Sequence, residues 1–225
     1  MEGLIAPREQ ALANYDYNDI ARGISNVVFY GGAYNHGNNV SGMALSNSTF
    51  WSDPIVLKAG SGVIDREIVM SKDFDLSFGS PRVVKGTMVI NVPMGVGQNA
   101  AAQGNKVVYV SGMLTVSKIS NGATTQLGKE GTSVHTDTIA DSDMTGYMFC
   151  VMMDIPSTKF KKDDVLRLKV DLWGKTGDGD VVFGIGCDPQ NRNDTETTTP
   201  SFMLKAIPDD VDTIMSVQIP FKIDV

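Results

Sequence analysis

The last nine residues of this chain alternate: apolar Val217, Ile219, Phe221, Ile223 and Val225 are separated by Gln218, Pro220, Lys222 and Asp224. A period of two puts five apolar side chains on one face of an extended segment and leaves the other face to water, which describes a strand and not a helix stripe. Most of the chain beyond Thr49 obeys the same period. Leu166, Leu168, Val170 and Leu172 alternate with Arg167, Lys169, Asp171 and Trp173, after the turn signal Asp163-Asp164. Met88, Ile90 and Val92 form a third such strand, and Val107 to Ile119 a fourth, long enough to bend at Gly112. Tyr147 to Met153 is apolar on both sides, the pattern of a central strand covered on both faces.

Further strands are expected at Val27 to Tyr30, Ile55 to Leu57, Val63 to Met70, Phe74 to Phe78, Val181 to Ile185 and Phe202 to Ala206. Breaks fall at Asn121-Gly122, Gly128 to Gly131, Gly177 to Asp180 and Asp188 to Pro200. About ten short strands with no long helical stripe point to an all-β antiparallel sandwich of the jelly-roll kind. Proline cannot donate to a ladder, so Val92-Pro93, Ile155-Pro156, Ile207-Pro208 and Ile219-Pro220 read as strand ends or sheet edges.

The first 45 residues are read apart, as an N-terminal arm with loops (1–45), from a β-sandwich domain (46–225). Pro7 to Ala21 allows only a thin helical stripe, and Gly31 to Asn47 is rich in Gly, Asn and Ser, which favour turns. With 225 residues the chain can bury a core without staples, and its 23 Gly and 2 Cys suit a turn-rich β protein, not a disulfide scaffold. A net charge of −7 argues against direct attraction to nucleic acid or anionic lipid. No apolar run is long enough to span a bilayer and no secretory signal opens the chain, so synthesis in a cytoplasm is expected, with Cys150 and Cys187 as reduced, buried thiols.

Signatures of catalysis are few. His36 and His135 have no histidine or cysteine at metal-ligand spacing and read as surface or capping residues. No serine stands at the centre of G-x-S-x-G; Gly174-Lys175-Thr176 lacks the upstream glycine of a phosphate loop, and Gly184-Ile185-Gly186 lacks the third glycine of a dinucleotide loop. Asp178, Asp180 and Asp188 with Asn191, Asn193 and Asp194 form an oxygen-rich pair of turns; they are read as turn formers, with bound calcium as the alternative. Trp173 falls on the polar face of its strand, where it serves either packing or a sugar platform. Met148, Met152 and Met153 are read as adaptable core filler. No catalytic, cofactor-binding or metal residue is therefore assigned, and no cofactor.

The layout as a whole resembles the single jelly-roll capsid and capsid-decoration proteins of icosahedral bacterial viruses. The residues that carry the resemblance are the aromatic segment Tyr15 to Tyr34, the edge-like strand Asp163 to Trp173, the Gly184-Ile185-Gly186-Cys187-Asp188-Pro189 turn and the closing strand Val217 to Val225. It implies a structural virion protein without catalysis, assembling as a homo-oligomer, a trimer among the options, with other capsid proteins and without direct contact to nucleic acid. The alternative reading is a carbohydrate- or receptor-binding sandwich such as a spike or tail head.

Overall fold

A computed structural model describes residues 24–35, 41–48, 55–59, 66–98, 106–139, 144–176, 181–189 and 214–222. They form twelve strands: β1 (Ile24–Asn35), β2 (Ser41–Ser46), β3 (Ile55–Ala59), β4 (Glu67–Ser77), β5 (Arg82–Gln98), β6 (Lys106–Ser120), β7 (Ala123–Gly131), β8 (His135–Ile139), β9 (Met144–Phe160), β10 (Val165–Thr176), β11 (Val181–Gly186) and β12 (Ser216–Lys222). All-β architecture follows from the period-two patterning, and the strands are consistent with a β-sandwich.

Two long strands act as hubs. β5 pairs β9 along one edge and, along the other, β12 at its first half and β11 at its second. β10 lies between β4 and β6, and β6 carries β7 and β8 in succession on its far edge. β1 pairs β12 and then turns into β2, which meets β4 through the single parallel pair Ala44↔Asp75; every other pairing is antiparallel. The chain therefore closes one side of the sandwich through β1 and β2.

In four of the strands the core is built by one parity of residues, while β11 is buried along its whole length. Met88, Ile90 and Val92 of β5, Leu114 and Val116 of β6, Leu166, Leu168, Val170 and Leu172 of β10, and Val217 and Ile219 of β12 are all fully buried. Close packing leaves no room for a Cβ at Gly174, where an added carbon would fall 2.6 Å from the Phe183 ring. At the β6–β7 hairpin, Asn121 and Gly122 adopt positive φ of 49° and 78°, the left-handed pair that a two-residue turn requires.

Several expectations change. Of the strands expected at Val63 to Met70 and Phe74 to Phe78, residues 67–70 and 74–77 fall in the one strand β4, while 63–65 lie outside the described residues; the glycines at 128–131 do not end a strand, because β7 runs to Gly131 with a register shift against β6 beside Gly128. β1 and β2 lie within the stretch read as arm and loops, yet both are strands of the sheet; residues 1–23 lie outside the described residues, as does Phe202 to Ala206. Pro93 is no strand end. It sits in mid-β5, opposite Met148 of β9, where β5 changes its other partner from β12 to β11. Pro220 lies within β12 beside a register shift against β5. The two largest corrections concern β9 and β10. The edge-like strand proves central, and among the described residues the strand expected at the centre pairs only β5.

Candidate binding pocket at one end of the sandwich

The start of β1, the end of β4, the start of β5 and the end of β12 converge on a cavity of about 600 Å³. Its apolar wall comes from Val27, Phe29, Leu76, Phe78 and Phe221. Polar groups of Ser25, Asn47, Ser80, Arg82 and Lys222 share its lining. The rings lock one another: Phe221 lies 6.2 Å from both Phe29 and Phe78, and Phe78 packs 4.5 Å from Phe160. Arg82 and Lys222 are exposed and have no ion-pair partner among the described residues.

The position of Phe78 traces back to the Asp163-Asp164 turn. Asp163 takes a φ of 68°, which turns the chain between β9 and β10. Its N–H then donates to the Phe78 carbonyl at 2.8 Å, while the Phe78 N–H donates to the Asp164 carbonyl at 3.0 Å. The Asp164 carboxylate is only 5 % exposed, and it is fully occupied. It accepts from the Lys161 N–H at 2.8 Å and the Ser120 hydroxyl at 2.7 Å, and it pairs with Lys118 at 3.0 Å. These bonds, that of the Lys161 N–H foremost, lower its pKa to about 2.

A second opening, of about 390 Å³, lies where β2 diverges from β4 after their single paired rung. It is lined by charge. Arg167 donates to both Asp75 oxygens at 2.7 Å and reaches Asp73 at 2.9 Å, and the Asp75 bonds raise its pKa. These ions satisfy one another across neighbouring strands and leave little unspent for a ligand.

A third cluster spans β8 and β9. His135 stacks on Tyr147 at 4.7 Å, lies edge-on to Phe149 and has its Nε2 3.3 Å from the Ser133 Oγ. The Tyr147 hydroxyl donates to Asp137 at 2.7 Å. Burial, then that bond, raises the Tyr147 pKa, and the same bond lowers that of Asp137. His135 is thus a half-buried ring partner and not a capping residue.

Other residues singled out in the sequence are scattered. Trp173 is half-buried on the outer face of β10 opposite Ile68 and Ser111, and its indole N–H is buried without an acceptor. Asp188 is fully buried, and the Gly184 to Pro189 stretch is strand followed by a buried bend. Asp178, Asp180, Asn191, Asn193, Asp194 and His36 lie outside the described residues. Among the described residues, no three His, Cys, Asp or Glu side chains are grouped to hold a metal ion. Cys187 is buried as expected, whereas Cys150 is exposed, and Met148 and Met152 stand exposed beside it while Met153 enters the core. The pocket itself was not legible in the sequence: Phe29, Phe78 and Phe221 come from three separate strand regions, and no local spacing unites them.

No protein-family model and no curated protein matches the sequence. Some solved structures superpose over most of this chain. A CocE/NonD family hydrolase from Staphylococcus aureus superposes with a TM-score of 0.45 at 9% identity, over 88% of this chain and 37% of that one. An α-amino acid ester hydrolase gives 0.49 at 7% identity, over 87% and 36%. The Gx strain of infectious bursal disease virus gives 0.25 at 9% identity, over 86% and 41%. The chain spans little more than a third of each hydrolase.

These matches correct the expected function. Structures of hydrolases superpose over most of this chain, and the virus structure superposes far more loosely. A sandwich of this kind does not single out a shell protein, and the reading as a structural virion component without catalysis does not stand.

Proposed function

We propose that this sandwich recognises a small amphipathic anion, held with its apolar part against Phe29, Phe78 and Phe221 and its carboxylate toward Arg82 and Lys222. The observation that carries the reading is the pocket itself. An opening of about 600 Å³ with a preformed aromatic wall falls within the usual range of ligand sites, and two cations beside it have no partner among the described residues. The β2–β4 opening lacks an apolar wall of this kind, and its guanidinium is already bound to aspartates.

Calorimetric titration with decanoate, decanol and butyrate tests the idea. Decanoate binds most tightly; decanol loses the charge contact and butyrate the apolar one. Replacing the exposed Arg82 and Lys222 with Ser weakens decanoate by about tenfold and leaves decanol unchanged. Equal affinity for decanoate and decanol, or the same affinity in the double variant, overturns the assignment.

An amphipathic carboxylate is also the acid half of an ester, so esters are the first substrates to screen for turnover. A second reading has its own observation, the 3.3 Å contact between Ser133 Oγ and His135 Nε2. In that reading Ser133 attacks an ester carbonyl, His135 takes its proton and the alcohol leaves with that proton. Hydrolysis of p-nitrophenyl esters that persists in Ser133→Ala removes this reading.

A further inference from the structure

β9 is a 17-residue strand with β5 on one side and, among the described residues, no hydrogen-bonded strand on the other. An open edge offers a row of unpaired N–H and C=O groups to any strand that can approach it. The two halves of this edge differ. In the second half, Asp154 brings a charge, Pro156 has no N–H, and the Lys118 ammonium donates to the Lys159 carbonyl at 2.6 Å. Such features discourage strand addition. From Thr145 to Met153 there is neither charge nor proline. β7 of the facing sheet meets β9 through Gly128, against the inward Met153 and Ile155 side chains.

The outer face of the bare half is also apolar. Met148 is 43% and Met152 69% exposed, with Cys150 exposed between them. Among the described residues nothing covers these side chains, and something outside them must bury them.

We propose that this something is a second copy: two β9 strands pair antiparallel about a two-fold axis through Cys150, joining two sandwiches into one continuous sheet. Charge restricts the register of that pairing. In the pairing centred on Cys150, Met148 faces Met152, Phe149 faces Val151 and Tyr147 faces Met153, while Asp154 faces Gly146. No like charges meet, although the chain as a whole carries −7 and repels its copies at long range. A slip of the centre to Asp154 would set two carboxylates opposite each other. A self-complementary strand is what an isologous dimer requires.

The two Cys150 residues then lie about 4.5–5.5 Å apart at Cα, within disulfide reach. Diamide, which takes up the two thiol hydrogens, should convert the full-length chain to a covalent dimer whose peptide map shows a Cys150–Cys150 link. Sedimentation without oxidant should show a reversible dimer. Cys150→Lys places a cation in the bare edge and weakens that dimer by about tenfold or more. Val107→Lys, at an exposed position on another strand, leaves it unchanged. Circular dichroism confirms that both variants fold. A monomer at every soluble concentration, a dimer unaffected by Cys150→Lys, or cross-links that avoid Cys150 would each overturn the proposal.

Discussion

β9 and β10 are consecutive strands joined by the Lys161–Asp164 turn, and their places in the sheet are the reverse of what their patterns announce. β10 alternates cleanly between Leu and charged residues, yet it is bonded on both edges, to β4 and β6. The first half of β9 is apolar on both faces, yet among the described residues only one of its edges is paired. Side-chain alternation reports which face is wet, whereas centrality concerns backbone edges perpendicular to that face. In a sandwich, a central strand can have a wet outer face, and an edge strand can be apolar there when its partner comes from outside the chain.

The sharpest way to break this comparison is to truncate one residue on each strand. Leu168 is fully buried in β10, and Leu168→Ala should cost about 2–5 kcal/mol through lost burial and a residual cavity. Urea denaturation measures it. A cost below about 1 kcal/mol would mean that β10 does not anchor the core.

Second in size is the acid response of the turn between the two strands. Asp164 has a folded pKa of about 2 against an ordinary 3.8, so its contribution to stability is complete above pH 3.8 and fades as pH falls toward 2. Asp164→Asn should lower stability at pH 7 and flatten that acid slope, as read from denaturation midpoints across the range. An unchanged slope would separate the turn from the anchoring of Phe78.

How much of this was legible can be judged from the same residues. The inward parity of Leu166 to Leu172 and of Val217 and Ile219 was read correctly because burial is a local property of alternation. The turn at Asp163-Asp164 was legible too, since aspartate tolerates positive φ. Which edge of β9 stays open was not. That depends on β12 and β11 sharing the far side of β5, a pairing between residues more than 80 positions apart. The pocket failed for the same reason, and Met148 and Met152 were misplaced because an exposed apolar residue has the same local signature as one in a core.

Third is the charged ladder on the outer face of β10. Arg167 bridges Asp73 and Asp75, but its side chain is 34% exposed, so screening limits the pair to about 1 kcal/mol or less. A double-mutant cycle between Arg167→Met and Asp75→Asn should return a coupling in that range, shrinking with added salt. A coupling of several kcal/mol would mean that the outer face of β10 is drier than its exposure indicates.

The smallest effect sharpens the comparison most. Met152 of β9 and Leu168 of β10 are both large and apolar, but Met152 is 69% exposed and buries little on folding. Met152→Ala should therefore change the stability of the monomer by no more than about 0.5 kcal/mol. The same substitution at concentrations where two copies associate should lower the midpoint further, because the side chain then loses contacts made only in the dimer, and binding adds stability by mass action. Denaturation at two protein concentrations separates these contributions. A concentration-independent loss as large as that of Leu168→Ala would place Met152 in the core of its own chain and remove the distinction between the two strands.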